Sequence, residues 1–276
     1  VIEDYAFRSS GLESFTLRSD IELKEGVFDR CSKLTNLTIE NGVTKLLGFS
    51  YCGITCLVIP DSVVEVCDGA FAGCSSLISI KFGSGLTTIG KSAFYGCGPI
   101  ETLTIPSSIQ TIGNSAFNGS KIKNVVISDG VLTIGDNAFY NCRDLKTVKI
   151  GNVGTIGKWA FQWCTALTDV TINSCEELGA LAFKDCEALE NLSIKGKVGK
   201  INDSAFANCK AIKKVFISEA SKRPSMYSDV FDYNLTAEVT YGGTKEDWFW
   251  SDWDRYFNYS SCTITCSDGV YDKNWR

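Results

Sequence analysis

The stretch Leu103-Thr104-Ile105-Pro106-Ser107-Ser108-Ile109-Gln110-Thr111-Ile112-Gly113-Asn114-Ser115-Ala116-Phe117 decides the fold of this 276-residue chain. Leu103 and Ile105 alternate with Thr102 and Thr104 at a period of two, the pattern of a strand with one buried face. Gly113 marks a turn position where a side chain would crowd a neighbouring coil. The same order of features recurs along the chain, on a comb of phenylalanines: Phe7, Phe28, Phe49, Phe71, Phe94, Phe117, Phe139, Phe161, Phe183, Phe206 and Phe231. Steps of 21 to 25 residues separate them, and an alanine precedes eight of the eleven. A period of that length is the signature of a stacked repeat.

Other columns move with the phenylalanine. Five residues before it sits an aliphatic, as in Ile2, Leu23, Val66, Ile89, Ile112, Ile134, Ile156, Leu178 and Ile201. Three residues after it sits a cysteine in eight repeats, with Ser120 in that place in one interior coil. A segment such as Leu189-Glu190-Asn191-Leu192-Ser193-Ile194 then supplies the next strand. A single coil of about 22 residues cannot bury that strand's apolar face alone, so coils must stack and pair strand with strand. At roughly 4.8 Å per strand, eleven coils predict a body about 50 Å long with a parallel sheet along one side.

The pattern resembles the BspA-like, or Treponema-type, leucine-rich repeat family, whose signature reads approximately L-x-x-I-x-I-P followed by V-x-x-I-G-x-x-A-F-x-x-C. Residues 103 to 117 match it almost symbol for symbol, and the resemblance covers residues 1–241. The fold class expected is therefore a leucine-rich-repeat solenoid of about eleven coils, closed by a C-terminal cap over residues 242–276. The family is associated with surface and secreted proteins that adhere to host or neighbouring-cell proteins. The resemblance thus implies a protein ligand and an extracellular or cell-surface setting.

Composition narrows the alternatives. Hydrophobic residues make up 44% of the chain, enough for a large core and too many for disorder. A net charge of −5 with no Lys/Arg run argues against a nucleic-acid partner. No stretch approaches 18 consecutive apolar residues, so no membrane span is expected. Histidine is absent, which removes the commonest general base and the commonest nitrogen ligand for metals. The acidic residues scatter through variable positions without a pair that the repeat would bring together, so no enzyme and no cofactor are expected. The chain starts in mid-repeat without an initiator Met, as a mature or trimmed piece of a longer protein would.

Cysteine appears 13 times. A column of small, weakly polar thiols suits an interior ladder of reduced side chains. Neighbouring coils bring equivalent Cα atoms near ~5 Å, which leaves a disulfide between adjacent coils geometrically open. Cys52-x3-Cys56 and Cys262-x3-Cys266 have spacings a zinc site can use, but residues four apart on a strand lie roughly 13 Å apart, too far to share an ion.

A partner would meet the outward residues of the strands, which in leucine-rich-repeat geometry line a concave face. These are Thr16, Thr38, Val58, Lys81, Thr104, Val126, Lys149, Thr171, Ser193 and Phe216, with Lys214 in the neighbouring outward row. Most are small, polar and β-favouring, as any solvated sheet would be. A second candidate is the lengthened last step, a loop carrying Lys222, Arg223 and Tyr227, because insertions in repeat proteins map to loops. In the cap, Thr244 is a candidate helix N-cap with Glu246 and Asp247 in the first turn. Phe249, Trp253 and Phe257 fall on one helical stripe, suited to covering the last coil. A rival reading makes Trp248, Trp250 or Trp253 a platform for sugar rings. A structural spacer, in which the coils supply only length, is the remaining alternative.

Overall fold

Each coil turns about its phenylalanine through backbone of alternating hand. The computed structural model describes residues 1–218, 220, 224–226, 229–232, 235–257 and 261–272. Around Phe139, Asn137 and Asn141 have φ of 57° and 58°. Left-handed backbone two residues before and two residues after the phenylalanine accompanies N–H groups that point alternately along the solenoid axis and back into the coil. Asn137, Phe139 and Asn141 accordingly donate to the Lys158, Ala160 and Gln162 carbonyls of the next coil at 2.9, 2.7 and 2.8 Å. Tyr140 and Cys142 donate within their own coil, to Asn137 and Phe139. Glycine and asparagine tolerate left-handed backbone best, and glycine or small polar residues fill most of these sites.

The turn delivers one phenylalanine per coil to the interior. From Phe7 to Phe231 the rings stack face to face, with centroids 4.9–5.6 Å apart and planes within 8° of parallel. Burying one such side chain stabilises by roughly 1.5–3 kcal/mol, and Phe28 to Phe206 are all buried.

The cysteine column has a specific task beside this stack. The Cys142 thiol donates to the Phe117 carbonyl at 3.2 Å, and Cys164 and Cys186 donate likewise to Phe139 and Phe161 at 3.3 Å. Each bond ties a coil to the phenylalanine of the coil before it. Ser120 makes the same bond to Phe94 at 2.7 Å. All thirteen cysteines are free thiols. Burial pushes the Cys142 thiol up to about 12 and raises Cys52 and Cys164 as well.

The L-x-x-I-x-I segments form the expected parallel ladder. One outward row runs in unbroken register through Thr102, Asn124, Thr147, Asp169, Asn191, Lys214 and Glu238. A second parallel ladder, which the sequence pattern does not announce, passes through the aliphatic column five before the phenylalanine. Its strands are as short as Thr88–Ile89, Thr111–Ile112 and Thr133–Ile134. Two residues are too few to display a period of two. In Thr147–Ile156 and Asp169–Leu178 a single ten-residue strand runs through both ladders.

The C-terminal aromatic stripe predicts one helix, but the structure contains two, α1 (Lys245–Phe249) and α2 (Asp252–Phe257). Thr244 is the N-cap of α1 and forms a reciprocal capping box with Asp247. Ser251 causes the break. Its hydroxyl donates to the Trp248 carbonyl at 2.6 Å and accepts from the Asp254 N–H at 3.4 Å, capping the second helix. Trp253 and Phe257 then lie against Phe231, the last ring of the stack. The strand Thr263–Cys266 adds to the main ladder in parallel, and Gly269–Val270 turns back on it antiparallel.

Candidate functional site

The outer face of the main ladder presents two rows of side chains, fixed by the parallel register. One row reads Thr104, Val126, Lys149, Thr171, Ser193, Phe216 and Thr240. The first coils carry Thr16 beside Thr38 and Val58 beside Lys81 in the same outward position. Thr16, Thr38, Val58, Lys81, Thr104, Lys149, Lys214 and Phe216 are exposed, whereas Val126, Thr171 and Ser193 are half-buried. A hollow lies over the C-terminal coils.

That hollow is a shallow depression of about 360 Å3, lined by the Asp169–Lys214–Glu238 row and the Thr171–Phe216–Thr240 row. The Asn191 amide donates to Asp169 at 2.8 Å, and the Thr168 hydroxyl donates to the other Asp169 oxygen at 2.6 Å. The carboxylate is thereby held in place on the rim. Lys214 stands between Asn191 and Glu238 in register, and among the described residues it forms no ion pair. Phe216 is 38% exposed, the one aromatic ring in the outward rows. A fixed carboxylate, an uncommitted ammonium and an exposed ring on a rigid sheet can bind through charge, hydrogen bonds and apolar contact together.

Of the expected residues, the register brings Thr171, Ser193, Lys214 and Phe216 together here. It leaves Thr16, Thr38, Val58 and Lys81 several coils away. Lys222, Arg223 and Tyr227 lie outside the described residues. The sequence reading missed Glu238 and Thr240 as lining residues. Their strand, Glu238-Val239-Thr240-Tyr241, alternates like its neighbours and was legible by the same rule.

A second depression, of about 580 Å3, opens on the flank between the two ladders, over Val153 and the buried Cys175 thiol. Burial pushes that thiol up to about 12, which removes it as a nucleophile near neutral pH. Cys56 is the exposed cysteine, facing outward in register with Ser79. Among the described residues no cluster of acidic and cysteine side chains is placed to hold a metal ion, and no helix is long and apolar enough to cross a membrane.

Burial narrows the aromatic C-terminal platform. Trp248 and Trp253 are fully buried, packed on Tyr241 and Phe231, and only Trp250 of the three stands exposed, at 64%. Covering the end of an aromatic stack consumes two of the three indoles that the sequence offered to a ligand.

The profile of the BspA type leucine rich repeat region matches residues 1–123, 47–165 and 151–244, in six copies. The fold is similar to the crystal structure of a leucine-rich repeat protein from Eubacterium ventriosum, with a TM-score of 0.61 at 22% identity. The match covers 76% of this chain, which spans 62% of the length of that structure. A leucine-rich repeat protein from Bacteroides ovatus is matched over 96% of this chain and 86% of its own, with a TM-score of 0.43 and 19% identity. The pneumococcal vaccine antigen PcpA is matched over 93% and 74%, with a TM-score of 0.46 and 17% identity. No curated protein sequence matches the chain.

Proposed function

The chain belongs to the BspA-type leucine-rich repeat family, and from that premise we propose that it is a non-catalytic binding module of a surface or secreted protein. Its ligand is a protein on a host or neighbouring cell, and it docks on the outer face of the main ladder at the C-terminal coils. The observation that carries this reading is the exposed Phe216 ring beside Lys214, set in a depression with a fixed Asp169. Interface energy concentrates in a few such aromatic and charged anchors. Residues 242–276 serve as the cap that lets the solenoid end in water.

Saturable binding of the whole chain to immobilised extracellular-matrix proteins, or to intact epithelial or bacterial cells, tests the proposal. Binding to at least one of these surfaces, weakened by Phe216→Ala, supports it. Absence of binding to all of them contradicts it and favours a structural spacer, in which the coils supply length alone.

A further inference from the structure

The turns around the phenylalanine stack form a third side of the solenoid, apart from both ladders, and there one coil departs from its siblings. In the coils of Phe7, Phe28 and Phe71 to Phe206 two positions take left-handed backbone, two residues before the phenylalanine and two after it. Glycine, serine or asparagine occupies both positions in the coils of Phe71, Phe94, Phe117, Phe139 and Phe206. The coil of Phe161 has tryptophan at both: Trp159 with φ 56° and Trp163 with φ 63°. Bulky side chains in this conformation are strained and persist where something else requires them.

Packing accounts for the aromatic residues at equivalent places elsewhere. Tyr5 lies over Gly26 and Tyr51 over Gly73 of the next coil, each ring occupying the space where a β-carbon would stand. Arg8 and Arg30 cover those tyrosines in turn. The tryptophans have no such glycine beneath them. The next coil places Leu181 after Trp159 and Asp185 after Trp163. Both indoles stay open to solvent, at 37% and 41%.

What surrounds Trp163 is polar and fixed. Its ring stacks on Tyr140 of the preceding coil, with centroids 5.9 Å apart and planes 25° from parallel. Its indole N–H donates to Asp185 at 2.7 Å. The Gln162 amide donates to the same oxygen at 3.0 Å, and the Asn208 amide to the other at 2.7 Å. Partial burial alone would raise the Asp185 carboxyl. These three hydrogen bonds and nearby Lys184 outweigh that and hold it below the ordinary carboxylate range. The charge is thus already shared among protein donors, which disfavours a cationic ligand. The donors themselves are pinned, leaving the Gln162 and Asn208 amide oxygens and remaining N–H groups at the edge of the exposed Trp163 ring and the half-buried Tyr140 ring.

We propose that Tyr140 and Trp163, with Trp159 in the same turn, form a stacking platform for a neutral sugar ring whose hydroxyls are met by the Gln162 and Asn208 amides. A pyranose offers a face of C–H groups to an aromatic ring and a rim of hydroxyls to planar amides, and this coil supplies both on rigid backbone. The platform lies on a different side from the Phe216 depression, so the two sites stand or fall separately.

Affinity electrophoresis of the whole chain tests the proposal, in native gels containing laminarin, xyloglucan, galactomannan or yeast mannan. Retardation by at least one polysaccharide is expected. Trp163→Asn, which installs the residue found at the same position as Asn141 and Asn208, is expected to weaken it at least tenfold while melting no lower than the parent. Tyr140→Ala should weaken it several-fold and Trp250→Ala leave it unchanged. Absence of retardation in all four gels overturns the proposal, as does undiminished binding by Trp163→Asn. Retardation lost with Trp250→Ala instead would move the site to the C-terminal segment. A Trp163→Asn chain that melts well below the parent would give the indole a structural role and overturn the platform.

Discussion

The Ser120 hydroxyl donates to the Phe94 carbonyl at 2.7 Å, making in one coil the bond that a cysteine thiol makes in its neighbours. The cysteine column is therefore a column of donors rather than merely of small apolar groups. Cys164→Ser is expected to stay within about 1 kcal/mol of the parent, because the serine keeps the bond to Phe139. Cys164→Val, which adds volume and removes the donor, should lose about 2–3 kcal/mol. Urea unfolding of the two variants checks the order, and a serine variant as damaged as the valine one would contradict the assigned bond.

The phenylalanine stack should respond by position. Phe161 lies between Phe139 and Phe183 at 5.0 and 4.9 Å and is fully buried. Phe161→Ala is expected to cost about 3–5 kcal/mol. Phe7 has one ring neighbour in the stack and is 38% exposed, so Phe7→Ala should cost less than half as much. Equal losses measured by denaturant titration would mean that the stack is not the main source of coil-to-coil cohesion.

Two glycines separate close approach from backbone conformation. A β-carbon on Gly113 would stand 2.6 Å from the Gly90 carbonyl carbon, backbone that cannot yield cheaply. Gly119 has φ +68° and open space around the same position. Gly119→Ala is expected to cost about 1 kcal/mol for its left-handed backbone, and Gly113→Ala about 3 kcal/mol for displaced coils. Thermal melting of both variants tests the order.

Alkaline pH should unfold the solenoid. Burial raises the native pKa of Cys142 and Cys175 to about 12, above the ~8.5 of an unfolded thiol. The sign follows from a group held neutral in the fold. Its stabilisation is complete below pH ~8.5 and is lost as pH rises toward 12, at up to ~1.4 kcal/mol per pH unit for each such thiol. Unfolding free energies at pH 7, 9 and 10.5 should fall along that series. A Cys142→Ser, Cys175→Ala double variant should fall less steeply, and an unchanged slope would remove these thiols as the cause.

The repeat comb made the fold legible, because phenylalanine, cysteine and strand columns recur at one period and stacking is the way to bury them. The chemistry of the columns was less visible. A cysteine at a fixed distance from phenylalanine reads as core until the turn shows which carbonyl it faces. The second ladder stayed hidden because its strands, such as Thr111–Ile112, are too short for alternation. At the candidate sites, Phe216 stood out as the lone outward aromatic ring, but the hollow around it depends on how four coils align. Trp159 and Trp163 sit at positions whose backbone hand no pattern of polarity reveals, though glycine or asparagine in sibling coils was a usable signal.

The binding face is tested most directly by the affinity of Phe216→Ala and Lys214→Glu chains for the bound protein or cell surface, beside Thr38→Ala on the same face several coils away. A tenfold or greater loss for the first two, about 1.4 kcal/mol, with Thr38→Ala unchanged, is the result predicted for docking at the C-terminal depression. Affinity unaltered by Phe216→Ala and Lys214→Glu in a folded chain would contradict it.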